Sequence, residues 1–442
     1  MQHHTPENVQ VPHETPESLK RFWLAIGAMV LIGLPGVVLR FAGIHPAPAL
    51  GALIFGVAIL AAAFLLSWAA ETAEMDISQG LALAIIALIA VLPEYAVDMV
   101  LAWKEASCDP AARDGETQCG LAVANMTGGN RLLIGLGWPI VFVIFFLRTR
   151  LKELIVDRQR SLELAFLAIA TVYVILIPLR SHVSLLDSIV LVSLFVMYVY
   201  FTSKVESEEV ELVGPARAMG VLPDARRRAV IVITLVFSAV VIFSSAEPFA
   251  ESLVKLGGEI GVSEFFLIQW LAPLASESPE VLVATLLAWR GRAAVGMGAL
   301  ISSKVNQWTL LIGTLPIVYS LSSGNTDLLS GLPLDSRQRE EIFLTAAQSA
   351  FAIAVFINLR MGKPEATALF VLFATQLFIT NEQARIVYAF AYTVLCIILL
   401  IINRKELPRT IGSAWDIMRG RPIPAHDAGT SNKDEVPPRH AT

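Results

Sequence analysis

Runs of about 20 apolar residues recur along this chain from Phe22 to Ile402 and settle what it can fold into. Such a run, wound as a helix, crosses the hydrocarbon core of a bilayer with every backbone polar group satisfied internally. With 55% hydrophobic and 16% charged residues in 442, the chain reads as a polytopic membrane protein, not a soluble domain. The expected fold is all-α, with about 12 transmembrane spans near 22–42, 49–70, 80–103, 120–147, 161–180, 184–203, 229–250, 264–289, 294–321, 342–361, 365–380 and 384–403. The eleventh is short. Polar ends at 1–21 and 404–442 are expected to be disordered, and no removable signal peptide is read from 1–21.

Orientation follows from Lys and Arg in short loops. Lys20-Arg21, Arg148 to Arg160, Lys204 to Arg228, Arg290 with Arg292, Arg360 to Lys363 and Arg404 to Arg409 all fall on one side of a twelve-span chain. That side is read as cytoplasmic, with both termini on it, in a membrane expected to be the bacterial inner (plasma) membrane. Arg226-Arg227-Arg228 is then an orientation signal, and no nucleic-acid partner is expected. Three cysteines exclude a disulfide scaffold. Cys108 and Cys119 flank an exported polar loop, where one bridge or two free thiols are both open readings.

Two spans carry the same unusual sequence. Pro93-Glu94 begins a segment ending in Ala102-Trp103-Lys104, and Pro279-Glu280 begins one ending in Ala288-Trp289-Arg290, with Val, Leu, Ala and Trp at matching offsets. Later segments recur too: Asn130-Arg131 with Leu133-Ile134-Gly135 and Pro139, then Asn306-Gln307 with Leu311-Ile312-Gly313 and Pro316. By the span count, the two copies cross the membrane in opposite directions. Inverted repeats with interrupted helices near the bilayer middle are the mark of secondary transporters. The expected units are an extra span at 22–48, a first repeat at 49–203, a cytoplasmic linker at 204–228, a second repeat at 229–380, and a last span at 384–403.

A carboxylate at the bilayer centre costs about 2.5–3.5 kcal/mol on insertion scales, so acids there point to function. Glu94 and Asp98 are four apart and share a helix face; Glu277 and Glu280, three apart, do likewise. Pro279 removes a helical donor and frees the carbonyl of Ala275. Ser303, Asn306, Gln307 and Asn130 add neutral oxygens in the partner spans. Hard cations take six to eight such oxygens. The expected cation-binding set is Glu94, Glu280, Glu277, Asp98, Ser303, Gln307, Asn306 and Asn130, with Glu94 and Glu280 as metal ligands. The bland alternative is that the acids form ion pairs that hold helices together and the small polar residues glue helix to helix. Lys304 and Arg131 are read as charge-pairing or proton-coupling groups. Glu71, Glu74, Glu247 and Glu251 end the spans before each Pro-Glu helix; they hint at a mouth or proton route, against the plainer reading of interface acids.

At these residues the chain resembles the calcium/cation antiporter superfamily, the sodium/calcium exchanger-like membrane proteins. Leu92-Pro93-Glu94 and Ser276-Glu277-Ser278-Pro279-Glu280 stand at its first signature. Gly128-Gly129-Asn130 and Ser302-Ser303-Lys304-Val305-Asn306-Gln307 stand at its second. The resemblance implies two inverted five-helix repeats over roughly 49–380, cation binding by Glu94 and Glu280, and supporting roles for Ser303 and Gln307. The sequence departs from the family pattern at Val91 and Glu277, each in place of a serine, at Lys304 in place of an asparagine, and at Leu133 or Arg131 in place of an amide. These losses lean the coupling toward protons or a changed ion. The expected function is secondary antiport of Ca²⁺ or another cation against Na⁺ or H⁺. Alternatives are a cation/H⁺ exchanger with Lys304 and Arg131 in place of bound sodium, a non-transporting sensory relative, and, least favoured, an intramembrane acid-dyad hydrolase. No enzyme activity and no cofactor are expected; the partners are inorganic cations, protons and lipid, and the oligomeric state is left open.

Overall fold

The computed structural model describes residues 16–73, 75–76, 92–108, 119–204, 212, 214–379 and 381–421. Among these the architecture is all-helical. In chain order the helices are α1 (Pro16–Ala42), α2 (Pro48–Ala73), α3 (Leu92–Glu105), α4 (Leu121–Leu132), α5 (Trp138–Thr149), α6 (Ser161–Ile175) and α7 (Leu185–Thr202). After the short α8 (Ala216–Gly220) come α9 (Asp224–Ile260), α10 (Glu264–Trp289), α11 (Ala293–Asn306), α12 (Ile312–Ser323), α13 (Ser336–Val355), α14 (Lys363–Gln376), α15 (Glu382–Ile402) and α16 (Leu407–Met418). Nine helical stretches of the described residues are long and apolar enough to cross a membrane. The first half of the expected third span, 80–91, lies outside the described residues, as does Glu74. The eleventh expected span is the 14-residue α14. At 1.5 Å per residue it covers about 21 Å, short of a full hydrocarbon core.

Both halves of the chain repeat one local irregularity. α4 runs into α5 through a π-helical segment at Leu133–Gly137, and α11 runs into α12 through another at Gln307–Leu311. A π turn inserts one residue into a helix and is common at functional sites. The two segments begin at Leu133 and at Gln307, three residues after Asn130 and three after Lys304. Further on, a single 3₁₀ turn (Ile177–Leu179, Phe356–Asn358) leads in each half to a three-residue strand and then a helix. Strand β1 (Glu153–Ile155) pairs antiparallel with β4 (Arg360–Gly362), and β2 (His182–Ser184) with β3 (Gly331–Pro333). Each ribbon therefore joins one half to the other.

The core is apolar and falls into separate clusters. Ile59, Leu66, Ala96, Met126, Ile268 and Trp308 belong to one cluster; Trp138, Phe142, Met297 and Phe356 belong to a second. Helices α4 and α10 approach closely because Gly128 has no side chain: a Cβ there would stand 1.7 Å from the Gln269 carbonyl oxygen. Small residues allow such approach between membrane helices.

Two expectations about the chain ends need correction. The segment 1–21 is not unstructured throughout, since α1 starts at Pro16. Within 404–442, α16 is helical, with Pro408 in its first turn and Thr410 Oγ1 donating to the Ile357 carbonyl at 2.6 Å. Its buried face (Thr410, Ala414, Ile417) recurs at helical spacing, which composition alone does not register. The linker 204–228 contains α8 and the first turn of α9, anchored by buried Ala216 and Met219.

Candidate functional site

Three glutamates meet where α3, α10 and α11 converge. Carboxylate oxygens of Glu94, Glu277 and Glu280 all lie within 4.8 Å of one another. Glu94 is carried into the interior by the first turn of α3, with Pro93 beside it. Glu277 and Glu280 flank Pro279 in the unbroken helix α10. Glu94 and Glu277 are buried, and Glu280 is half-buried.

Neutral side chains hold these carboxylates. Gln307, the first residue of the second π segment, donates its Nε2 to both Glu94 oxygens at 3.2 Å and also to Glu277 Oε1. Ser303 Oγ donates to Glu280 Oε2 at 2.5 Å. The amide therefore serves Glu94 and Glu277, and the Ser303 hydroxyl serves Glu280. Among the described residues no Lys or Arg stands within ion-pair distance of the three acids. Helix-holding ion pairs are thus not what these acids form. Three carboxylates so close, in a low-dielectric interior, need protons or a cation to offset them.

Asp98 lies one turn along α3 and lines the same cavity as Glu94, Glu277, Gln307 and Asn130. Its Oδ1 accepts from Asn125 Nδ2 at 2.9 Å, while Oδ2 and the Asn125 Oδ1 are buried without a partner. Gly129 gives Glu277 its room: a Cβ there would stand 2.9 Å from Glu277 Oε1. Asn306 is not among the residues lining this cavity; its Oδ1 accepts from the Tyr95 hydroxyl at 3.1 Å.

The two buried bases have different surroundings. Lys304 Nζ donates to Asn130 Oδ1 at 2.5 Å and to its carbonyl at 3.3 Å, and lies 4.4 Å from the Trp308 ring centroid. It thus occupies the oxygens that Asn130 offers. Arg131 points away from the acid cluster. It pairs with Glu341 at 2.5 Å and stacks over Trp270. Glu341 in turn pairs with Arg385 at 2.9 Å. Glu341 and Arg385 escaped the sequence reading; their signal was a charge at the start of an apolar run, which interface residues also give.

The described span-end acids, Glu71, Glu247 and Glu251, do not join the cluster. Glu247 pairs with Arg40 at 2.6 Å and Lys104 at 3.3 Å, and Glu251 pairs with Lys104 at 2.6 Å. Glu71 is half-buried in α2. The sulfurs of Cys108 and Cys119 are bonded, with Cα atoms 5.9 Å apart, and Cys396 is a buried thiol.

The family model described as sodium/calcium exchanger protein matches residues 47–204 and 230–381. The solved structure of the H⁺/Ca²⁺ exchanger CAX is 42% identical, aligns over 91% of this chain and 99% of its own, and superimposes with a TM-score of 0.84. That of native YfkE is 16% identical, over 85% of this chain and all of its own, at a TM-score of 0.57; it shares the fold. No curated protein matches the chain. The chain belongs to the sodium/calcium exchanger family. It is an integral membrane cation antiporter, as the family and the apolar helices together require.

Proposed function

We propose that the protein exchanges Ca²⁺ for protons by alternating access, with Glu94, Glu277 and Glu280 as the shared site. One observation carries this reading: three carboxylates gathered within 4.8 Å in the interior with no basic partner in reach among the described residues. A Ca²⁺ ion or two protons bring the same charge to the cluster, so either loads it and each excludes the other. Asp98, Asn125 and Ser303 complete the oxygen set. Protons are favoured over Na⁺ because Lys304 occupies Asn130. The 42% identical relative is an H⁺/Ca²⁺ exchanger, which agrees.

Residues 49–203 and 229–380 act in this reading as inverted repeats. The paired π segments and the two strand ribbons that link the halves support it. Glu94 and Glu280 are then equivalent, presented to the site from opposite directions. One observation favours a second reading, Na⁺/H⁺ exchange with an internal cation in the place of a sodium: the seat of Lys304 on Asn130 Oδ1. Arg131 takes no part in it, being held by Glu341.

The test is uptake of radioactive Ca²⁺ into proteoliposomes, driven in turn by a pH gradient and by a Na⁺ gradient. The pH gradient should drive it and the Na⁺ gradient should not. Glu94→Gln and Glu280→Gln, each purified as a folded monodisperse protein, should both abolish it. Full flux in either variant overturns the site assignment.

A further inference from the structure

Arg131 belongs to a second polar cavity, of about 430 Å³, bounded by the starts of α10, α13 and α15 and the end of α14. Three guanidinium groups line it, those of Arg131, Arg337 and Arg385, against one carboxylate, Glu341. Glu341 divides its oxygens between Arg131 and Arg385. Glu340 lies behind Arg385, 3.7 Å from its Nε. Arg337 has no carboxylate within ion-pair distance among the described residues. Arg337 donates from Nη1 to Ser263 Oγ at 3.3 Å and lies over the Phe265 ring. Its Nε, like that of Arg385, is buried with no hydrogen-bond acceptor.

Buried donors without acceptors are costly, and a guanidinium presents its donors as a fork matched to planar or tetrahedral oxyanions. Phe266 and Trp270 make part of the wall apolar, so the field of the three cations is weakly screened there. We propose that this cavity binds a phosphate-type oxyanion, gripped by Arg337 and Arg385, and that the site is separate from the carboxylate cluster. The same group arrives either as free phosphate or on an anionic lipid whose tails leave over the apolar wall. Because Arg131 is the next residue to Asn130, the occupant also braces the helix that holds Lys304. The proposal does not depend on which cation the protein carries.

The experiment compares thermal unfolding of the full-length protein in delipidated detergent with sodium phosphate against sodium chloride at equal ionic strength. A second arm compares nanodiscs with and without phosphatidylglycerol. Phosphate is expected to raise the melting temperature by a few degrees if the source is soluble; phosphatidylglycerol alone does so if the source is lipid. Arg337→Gln, which sacrifices the bond to Ser263 and the stacking on Phe265, should raise the ligand concentration needed for the same shift at least about tenfold, one charged hydrogen bond's worth. Arg339→Gln, on the same helix and bonded to the Pro178 carbonyl, should leave it intact. No response in either arm, or an undiminished response in Arg337→Gln, overturns the site.

Discussion

Gly128 and Gly129 are neighbours on α4, and adding one methyl group to each should have different effects. At Gly128 the new Cβ would stand 1.7 Å from the Gln269 carbonyl oxygen and 2.7 Å from its carbonyl carbon. Ordinary carbon–oxygen contact is about 3.3–3.6 Å, so backbone must retreat by over an ångström along a helix crossing. Overpacking of this kind costs about 1–3 kcal/mol when side chains yield, and more when only backbone is available. Gly128→Ala should therefore lose about 3 kcal/mol or fail to fold. At Gly129 the obstacle is the tip of the Glu277 side chain at 2.9 Å, with Pro273 Cβ at 3.6 Å. That tip moves by a few tenths of an ångström at small cost to the fold. It does so at the expense of its bond to Gln307 and its distance from Glu94. Calcium–oxygen bonds span only about 2.3–2.6 Å, so the displacement should reduce apparent Ca²⁺ affinity about tenfold. The assay is melting temperature by detergent-solubilised fluorescence, paired with Ca²⁺ uptake against concentration. Gly128→Ala melting with the wild type, or Gly129→Ala unfolding the protein while sparing affinity, would refute the reasoning.

Other outcomes follow from the same contacts. Gln307→Leu removes the donor shared by Glu94 and Glu277; at about 1.5–3 kcal/mol for a charged hydrogen bond, Ca²⁺ affinity should fall at least tenfold in uptake assays. Arg131→Ala should cost about 3–5 kcal/mol because Glu341 is left buried and half-paired, as thermal unfolding will show. Asp76, outside the spans, is held below the ordinary carboxyl value of 3.8 by hydrogen bonds from Arg227 and then Arg228. A depressed carboxyl lends stability above its ordinary value and loses it as pH falls through the lowered one. Asp76→Asn should thus melt below wild type by a constant margin, about 1–3 kcal/mol, from neutral pH to about pH 4, and the margin should close only under stronger acid.

Much of this protein was legible in the one-dimensional chain because a bilayer is an unforgiving solvent. Apolar runs of span length had to be helices, and acids inside them had to have company. Glu94, Glu277, Glu280, Ser303 and Gln307 were readable for that reason, as was the family. The tertiary structure decided the partners. Adjacent residues in a helix point about 100° apart, so Asn130 and Arg131 share a sequence but not a destination: one meets Lys304, the other Glu341 across 210 residues. It also decided the local register, since a π turn adds a residue that no hydrophobic period reveals. Charges at span ends, such as Glu341 and Arg385, read as solvated until a neighbouring helix buries them. Composition ranks a residue's cost in the membrane; only the packed helices say which group meets that cost.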